Sequence, residues 1–410
     1  MRPSDATDTA RQQYSKPKLR ALLSVQLFNM LGDGLLTVGL TLIVVNVSQS
    51  ATALTLLLAC STAAGIVALL GSSIWLDAFN RRRTLIVIDV GRVIAAVLRV
   101  AYLVSEQTWL LVLIGITAGI SVALYRPAFS AYIGDIAAPD DRHAANALRS
   151  TASKLSSIAG PALAGVLANV DAQMAIPILA GLLACVSIAG FTLGPPGMTP
   201  ERHWRMSGFS TAGFRFVWSH KWVMAIIAQG AIQIGFVSAP ITLIVPLWLS
   251  DQHASGQYGY AMAIEAVGAL TATLLFTRGV RIPATLGMPV LVLQGAVLLV
   301  VICGAPTILI YPAYFVLGLA MGIFGTLWIS ALQATVPAEL LGRVLSIDAL
   351  GNSAFSLVGI LITGLALGYL SFGEVSTASL AVLIASVVLA ALVPGVLTLG
   401  RQHREHNIEP

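Results

Sequence analysis

Long apolar stretches separated by short polar ones run the length of this 410-residue chain. A hydrocarbon layer about 30 Å thick is crossed by about 20 apolar residues in a helix. Stretches of that length fall at about 21–47, 52–76, 84–104, 108–133, 144–170, 174–194, 222–249, 257–277, 285–304, 307–333, 341–371 and 375–399. The pattern predicts an all-α integral membrane protein with twelve transmembrane helices. The longest polar interruption, 195–221, opens Pro195-Pro196-Gly197 and carries Glu201, Arg202, His203 and Arg205. It is read as a linker between two six-helix bundles, 21–194 and 222–399, with polar tails at 1–20 and 400–410.

The halves echo each other. Pro139-Asp140-Asp141 opens the fifth segment and Pro337-Ala338-Glu339 the eleventh, where acidic residues favour a helix N-terminus. Gly160-Pro161-Ala162-Leu163-Ala164-Gly165 is mirrored by Gly359-Ile360-Leu361-Ile362-Thr363-Gly364. Parallel repeats of six helices are a transporter plan, with the substrate site at the midplane between them.

Charge then gives an orientation. The alternate loops 48–52, 105–107, 169–175, 250–257, 304–306 and 371–375 contain no Lys or Arg, but do contain Glu106, Asp171, Asp251 and Glu374. The opposite set is basic: Lys16, Lys18, Arg20, Arg81, Arg82, Arg83, Arg142, Arg202, Arg205, Lys221, Arg278, Arg281, Arg343, Arg401 and Arg404. By the positive-inside rule both termini and the linker face the cytoplasm. The net charge of +5 therefore reports topology and not nucleic-acid binding.

Composition agrees with the pattern. The chain is 57% hydrophobic and 10% charged, where soluble domains carry about 25% charged residues. Cys60, Cys185 and Cys303 lie singly in apolar runs, so neither a disulfide framework nor a zinc site is expected. The polar, basic start of the chain does not read as a cleavable signal peptide. No phosphate-binding loop, Gly-x-Ser-x-Gly or His-Glu-x-x-His motif occurs, and His143, His203, His220, His253, His403 and His406 lie in loops, tails or helix ends. No catalytic residue, cofactor or metal is expected.

Ionisable residues at membrane depth are costly and mark candidate sites. Asp33 lies about 18 Å along the first helix from Ala21, near the midplane. Gln26, Asn29, Thr37 and Thr41 share its face at helical spacing, a stripe that suits a water-filled cavity. Glu265 sits mid-way along the eighth segment on a face of small residues, placed for coupling, for substrate or for an interhelical hydrogen bond. In the third segment Asp89 and Arg92 read as an i,i+3 structural pair. Arg99 lies deeper without a local partner, available to an acid on another helix or to an anionic substrate. Gln229 and Gln233 on the seventh segment, and Asp348 and Asn352 on the eleventh, are candidate cavity-lining groups, with packing the alternative.

Several of these residues stand in recognisable motifs: Gly32-Asp33-Gly34; Asp77 followed by Arg81-Arg82-Arg83; Arg126-Pro127-Ala128, Asn146-Ala147-Leu148 and Gly160-Pro161 through Gly165; and Pro337 with Gly342-Arg343-Val344-Leu345-Ser346. Over nearly its whole length the chain resembles the major facilitator superfamily, and within it the branch of macrolide-efflux proteins and the enterobactin exporter. The cytoplasmic loop signature is degraded, with Ser73, Ala78 and Asn80 at positions where the family has glycine, a basic residue and glycine. Arg126 stands where an aromatic residue is expected.

The resemblance implies the major facilitator fold. It implies a secondary active transporter of the bacterial cytoplasmic membrane, a proton-coupled antiporter that exports an amphipathic antibiotic, toxic compound or siderophore by alternating access. Asp33, Glu265, Arg99, Asn29, Gln26, Thr37, Gln229, Gln233 and Asn352 are the candidates for coupling or substrate. Asp77, Arg81, Arg82, Arg126, Gly160, Pro161, Gly165, Gly342 and Arg343 are the candidates for conformational roles. The expected partners are a small-molecule substrate, protons and the bilayer, with the protein acting as a monomer. An importer of a small metabolite and a transporter-like sensor without flux remain alternatives.

Overall fold

The computed structural model describes residues 16–78, 80–136, 142–170, 172–194 and 211–400, and their side chains except at 16–24, 72–78, 142–146, 148 and 211. The described residues are helical with short connections. The helices are α1 (Lys16–Ser48), α2 (Ala51–Ala78), α3 (Arg81–Ser105), α4 (Trp109–Ile136), α5 (Arg142–Asn169), α6 (Ala175–Leu193) and α7 (Thr211–Ser219). A single rod follows, made of α8 (Lys221–Gln233), a π turn (Ile234–Ser238) and α9 (Ala239–Asp251). Then come α10 (Gln257–Thr277), α11 (Gly295–Ile302), α12 (Ile310–Thr335), α13 (Ala338–Ala366) and α14 (Phe372–Ala391), with 3₁₀ turns leading into α11 and α12.

Each of the twelve stretches read from the sequence is helical over most of its length. Ten of the resulting rods are long and apolar enough to cross a membrane. The two long helices outside that set are α3, which carries too many charges, and α5, whose serines, Arg149 and Lys154 lower its hydropathy. In α3 the reason is visible in three dimensions, because the helix is polar inside and apolar outside. Asp89, Arg92 and Arg99 are buried, while Val87, Val90, Ile94, Val97 and Val104 are exposed. Asn80 caps the start of α3, its side chain accepting from the backbone N–H groups of Arg82 and Arg83 at 3.1 and 3.3 Å.

Three boundaries differ from expectation. The last segment ends at Ala391 and not near 399, because Pro394 brings no N–H to the ladder and Gly395 takes φ +90°. The eleventh ends at Ala366, and a capping box of Ser371 and Glu374 opens the next helix. The linker contains α7, unforeseen from sequence; residues 195–210, like the tails 1–15 and 401–410, lie outside the described residues.

Helix pairing recurs along the chain. Helices α1·α5, α2·α4, α3·α6 and α1·α6 pack together, and so do the Lys221–Asp251 rod·α13, α10·α12, α11·α14 and the rod·α14. The closest crossings recur as well. A Cβ at Gly160 would stand 2.7 Å from Gly34 Cα, so only glycine lets α1 and α5 meet backbone to backbone. The equivalent crossing joins Gly235, in the π turn, to Gly359, where a Cβ would stand 2.7 Å from Gly235 Cα.

Substantial contacts between the α1–α6 helices and the α8–α14 helices are α5·α10, α2·α13, α1·α9, α2·α9 and α1·α10. Where the Lys221–Asp251 rod takes part, it does so through α9 and not α8. The tightest are glycine contacts: a Cβ at Gly259 would stand 2.6 Å from Gly165 Cα, and one at Gly364 would stand 2.7 Å from Thr55 Cβ. All four residues lie near the loops free of Lys and Arg. The molecule is sealed at that end.

Candidate functional site

The Gly34–Gly160 crossing fixes the height and rotation of α1, and with them the residue before Gly34. The Asp33 carboxylate meets the Arg92 guanidinium of α3, Oδ2 to Nη2 at 2.7 Å. Arg92 also donates from Nη1 to Asp89 at 2.9 Å and to the Asn29 carbonyl oxygen. The Asn29 amide donates to Asp89 at 2.7 Å and to Ser187 at 2.9 Å, and the Ser187 hydroxyl donates to Asp89 at 2.5 Å. The Tyr125 ring of α4 lies under the guanidinium, 4.3 Å from Arg92 Cζ to the ring centroid. Three helices thus meet at Arg92, and Ser187 ties α6 to the same network through Asn29 and Asp89.

Exposure divides this network. Asp89 and Ser187 are fully buried, and Arg92 and Asn29 nearly so. The Asp33 side chain keeps 28% of its surface. It borders a narrow crevice shared with Asn29, Gly32, Leu36, Arg92, Ala180 and Ala184. Asp89 is the anchored acid, holding Arg92 with support from Asn29 and Ser187, while Asp33 has one charged partner and access to the crevice. Arg99 is buried, with Nε and Nη1 lacking hydrogen-bond partners among the described residues.

A model of the Major Facilitator Superfamily matches residues 22–361. The chain belongs to that superfamily. It is a transporter and not an enzyme. It is similar to Multidrug resistance protein 1 of Bacillus subtilis, 25% identical over 272 residues that span 64% of this chain and 67% of the relative. Among solved structures it is similar to a bacterial homologue of the iron transporter ferroportin in its inward-facing state, with TM-score 0.71, 15% identity and coverage of 92% and 98% of the two chains. The outward-facing state of a bacterial ferroportin homologue matches with TM-score 0.56 at 15% identity, over 91% and 98%. The nucleoside transporter NupG matches with TM-score 0.68 at 13% identity, over 92% and 98%.

Within this superfamily member the other sequence candidates scatter. The stripe expected along α1 is not a wet one. Gln26, Asn29 and Thr41 are buried, and only Thr37 is exposed, its hydroxyl donating to the Asp33 carbonyl at 2.8 Å. Gln26 donates to the Met30 sulfur at 3.6 Å. Gln229 and Gln233 are also buried; Gln229 Nε2 donates to Gln233 Oε1 at 2.7 Å, while Gln229 Oε1 and Gln233 Nε2 have no hydrogen-bond partner among the described residues. The Asp89–Arg92 pair, expected to be local, is the centre of the site.

Glu265 is half-buried where α10 crosses α12, its backbone against Gly318. Asn352 donates to Asp348 at 3.1 Å, and Asp348 also accepts from the Trp328 indole at 3.0 Å, a second and smaller polar group.

Of the conformational candidates, Asp77 lies in α2 with its side chain outside the description. Arg81 pairs with Asp135 of α4 and donates to the Ala131 carbonyl at 3.3 Å. Arg82 donates to the carbonyls of Thr192 and Gly194 at the end of α6, at 2.7 and 3.0 Å. Arg126 is exposed, and Gly342 and Arg343 sit exposed at the start of α13. Ser187 and Tyr125 were missed. Ser187 gave one faint signal, a hydroxyl inside the apolar run 174–194. Tyr125 gave none, since a tyrosine in an apolar helix is ordinary packing.

Proposed function

We propose that this superfamily member exports an amphipathic small molecule, such as an antibiotic, a toxic compound or a siderophore, in exchange for protons. In this reading residues 21–194 and 222–399 are two bundles of six spans, α3 and α5 included, joined by the 195–221 linker, with both termini in the cytoplasm. The sealed end, free of Lys and Arg, is then the outer one, and the structure is the cytoplasm-open state. The closer fit to an inward-facing transporter than to an outward-facing one points the same way.

The observation that carries the coupling is the Asp33–Arg92 pair. With Asp33 ionised, Arg92 is shared between two carboxylates on two helices. With Asp33 protonated, Arg92 is held by Asp89 alone, and α1 is untied from α3. A midplane acid with one breakable tie has different interaction energies in its two protonation states, and such a difference is what shifts a conformational equilibrium. The Gly160–Gly34 and Gly165–Gly259 contacts put α5 between α1 and α10, so a shift of α1 reaches the seal between the halves. The multidrug resistance relative supports the export direction.

The test is accumulation of a panel of amphipathic antibiotics and dyes in an efflux-deficient bacterium. Expression should lower the accumulation of one or more compounds, and a protonophore should cancel the difference. Gradient-dependent uptake would instead establish an importer.

A further inference from the structure

The nine-residue helix α7 takes no part in the network, and its placement is tightly bounded. Only His220 separates it from α8, so no part of α7 stands farther than about 20 Å from the start of a membrane rod. Gly213 sits where a Cβ would stand 2.8 Å from the Arg343 Cβ, which pins α7 against the first turns of α13. Both neighbours are helix ends on the basic side of the molecule, so α7 lies at headgroup depth. Gly213 and Val217 face inward. The opposite face presents Phe214, 58% exposed, and Trp218, 68% exposed, stacked with ring centroids 6.0 Å apart. Together with Arg215 and Ser219 they form one open, largely apolar patch on the surface. Arg215, Ser219 and Lys221 are exposed beside it, and no Asp or Glu occurs in the sequence between Arg202 and Ser250.

Two bulky rings do not stay in water when an acyl-chain boundary lies beside them, and indole rings favour the membrane interface. Arg215 and Lys221, unopposed by acid in that stretch, favour an anionic occupant. We propose that the outer face of α7 binds an acidic phospholipid of the basic-side leaflet, with the acyl chain against Phe214 and Trp218 and the headgroup phosphate at Arg215. This anchors the linker to the membrane while the helices on either side of it move, and it is independent of which substrate is carried.

The experiment is tryptophan quenching in bilayers of phosphatidylcholine doped with either dibrominated phosphatidylglycerol or dibrominated phosphatidylcholine. The Trp218 signal is the difference between the full-length protein and W218F. The inference predicts stronger quenching by the brominated acidic lipid, with an enrichment on the order of fivefold, the preference one basic residue confers near an anionic surface. R215E should abolish the excess. Equal quenching by both lipids would reduce the face to an unselective apolar surface, and no quenching by either would show it covered by protein or water; each result overturns the proposal.

Discussion

At the scale of single residues, the account rests on the unequal standing of Asp33, Asp89 and Arg92. Asp89 accepts from three groups and is fully buried, while Asp33 has one charged partner and a face on the crevice. Removing Arg92 leaves two carboxylates without their cation. Arg92→Leu should therefore destabilise the protein by about 3–5 kcal/mol, the cost of stranding a buried charge. Asp33→Asn should cost far less, because Arg92 keeps Asp89. Thermal unfolding in detergent checks the order, and equal losses would contradict it. Asp33 was legible as a candidate because a carboxylate in the middle of a 27-residue apolar run, 21–47, has few structural excuses. Its partner was not. The i,i+3 spacing of Asp89 and Arg92 announces a local pair, and only the rotation of α1 against α3, set by a glycine contact with a third helix, shows that Arg92 reaches a second acid. Gln229 and Gln233 differ from expectation in the other direction: amides one turn apart look like the wall of an open cavity, but both are buried and bond to each other.

At the scale of elements, α3 shows both the reach and the limit of hydropathy. Its apolar positions place a span at about 84–104, yet it is the outer face that is apolar and the charged face that turns inward. A periodicity signal does not say which side faces lipid. The helix begins at Arg81 because Asn80 satisfies two of its free N–H groups. Asn80→Ala should therefore cost about 1 kcal/mol, read as a fall in thermal midpoint, with Asn80→Asp losing little. An unchanged midpoint for the alanine variant would deny the cap its role. The glycine crossings were half legible. Gly160 and Gly165 were singled out as points of close approach, but sequence alone did not say that the first meets α1 and the second meets α10 across the halves. Gly160→Val adds side-chain atoms where a Cβ already stands 2.7 Å from Gly34 Cα, and it should abolish accumulation of folded protein.

At the scale of the molecule, the question is which end opens. Asn169 of α5 and Tyr260 of α10 touch across the halves at the sealed end, so cysteines in their places, with Cys60, Cys185 and Cys303 replaced, should be joined by a short bis-methanethiosulfonate in the state described here. Cross-linking should halt transport and reduction restore it; transport that persists with the link in place would mean that this end need not open. Orientation is checked separately: cysteines at Gln107 and Gln252 should react with an impermeant reagent from outside intact cells, and one at Asn80 should not. The recurrence of apolar stretches of bilayer length made the all-helical, multi-span membrane fold readable from sequence, since the thickness of the hydrocarbon layer imposes that length. The substrate was not, because a cavity selects by shape and by a few polar groups assembled from distant segments. The most direct test of proton-coupled export joins these scales. A compound that the accumulation panel identifies is offered to inverted membrane vesicles, and its accumulation is followed while respiration drives protons inward. Wild-type vesicles should concentrate it and lose it on addition of a protonophore. Asp33→Asn vesicles, with the protein folded and inserted, should only equilibrate it. Uphill accumulation by Asp33→Asn at the wild-type rate would contradict the account and move the coupling group to Glu265 or to α3.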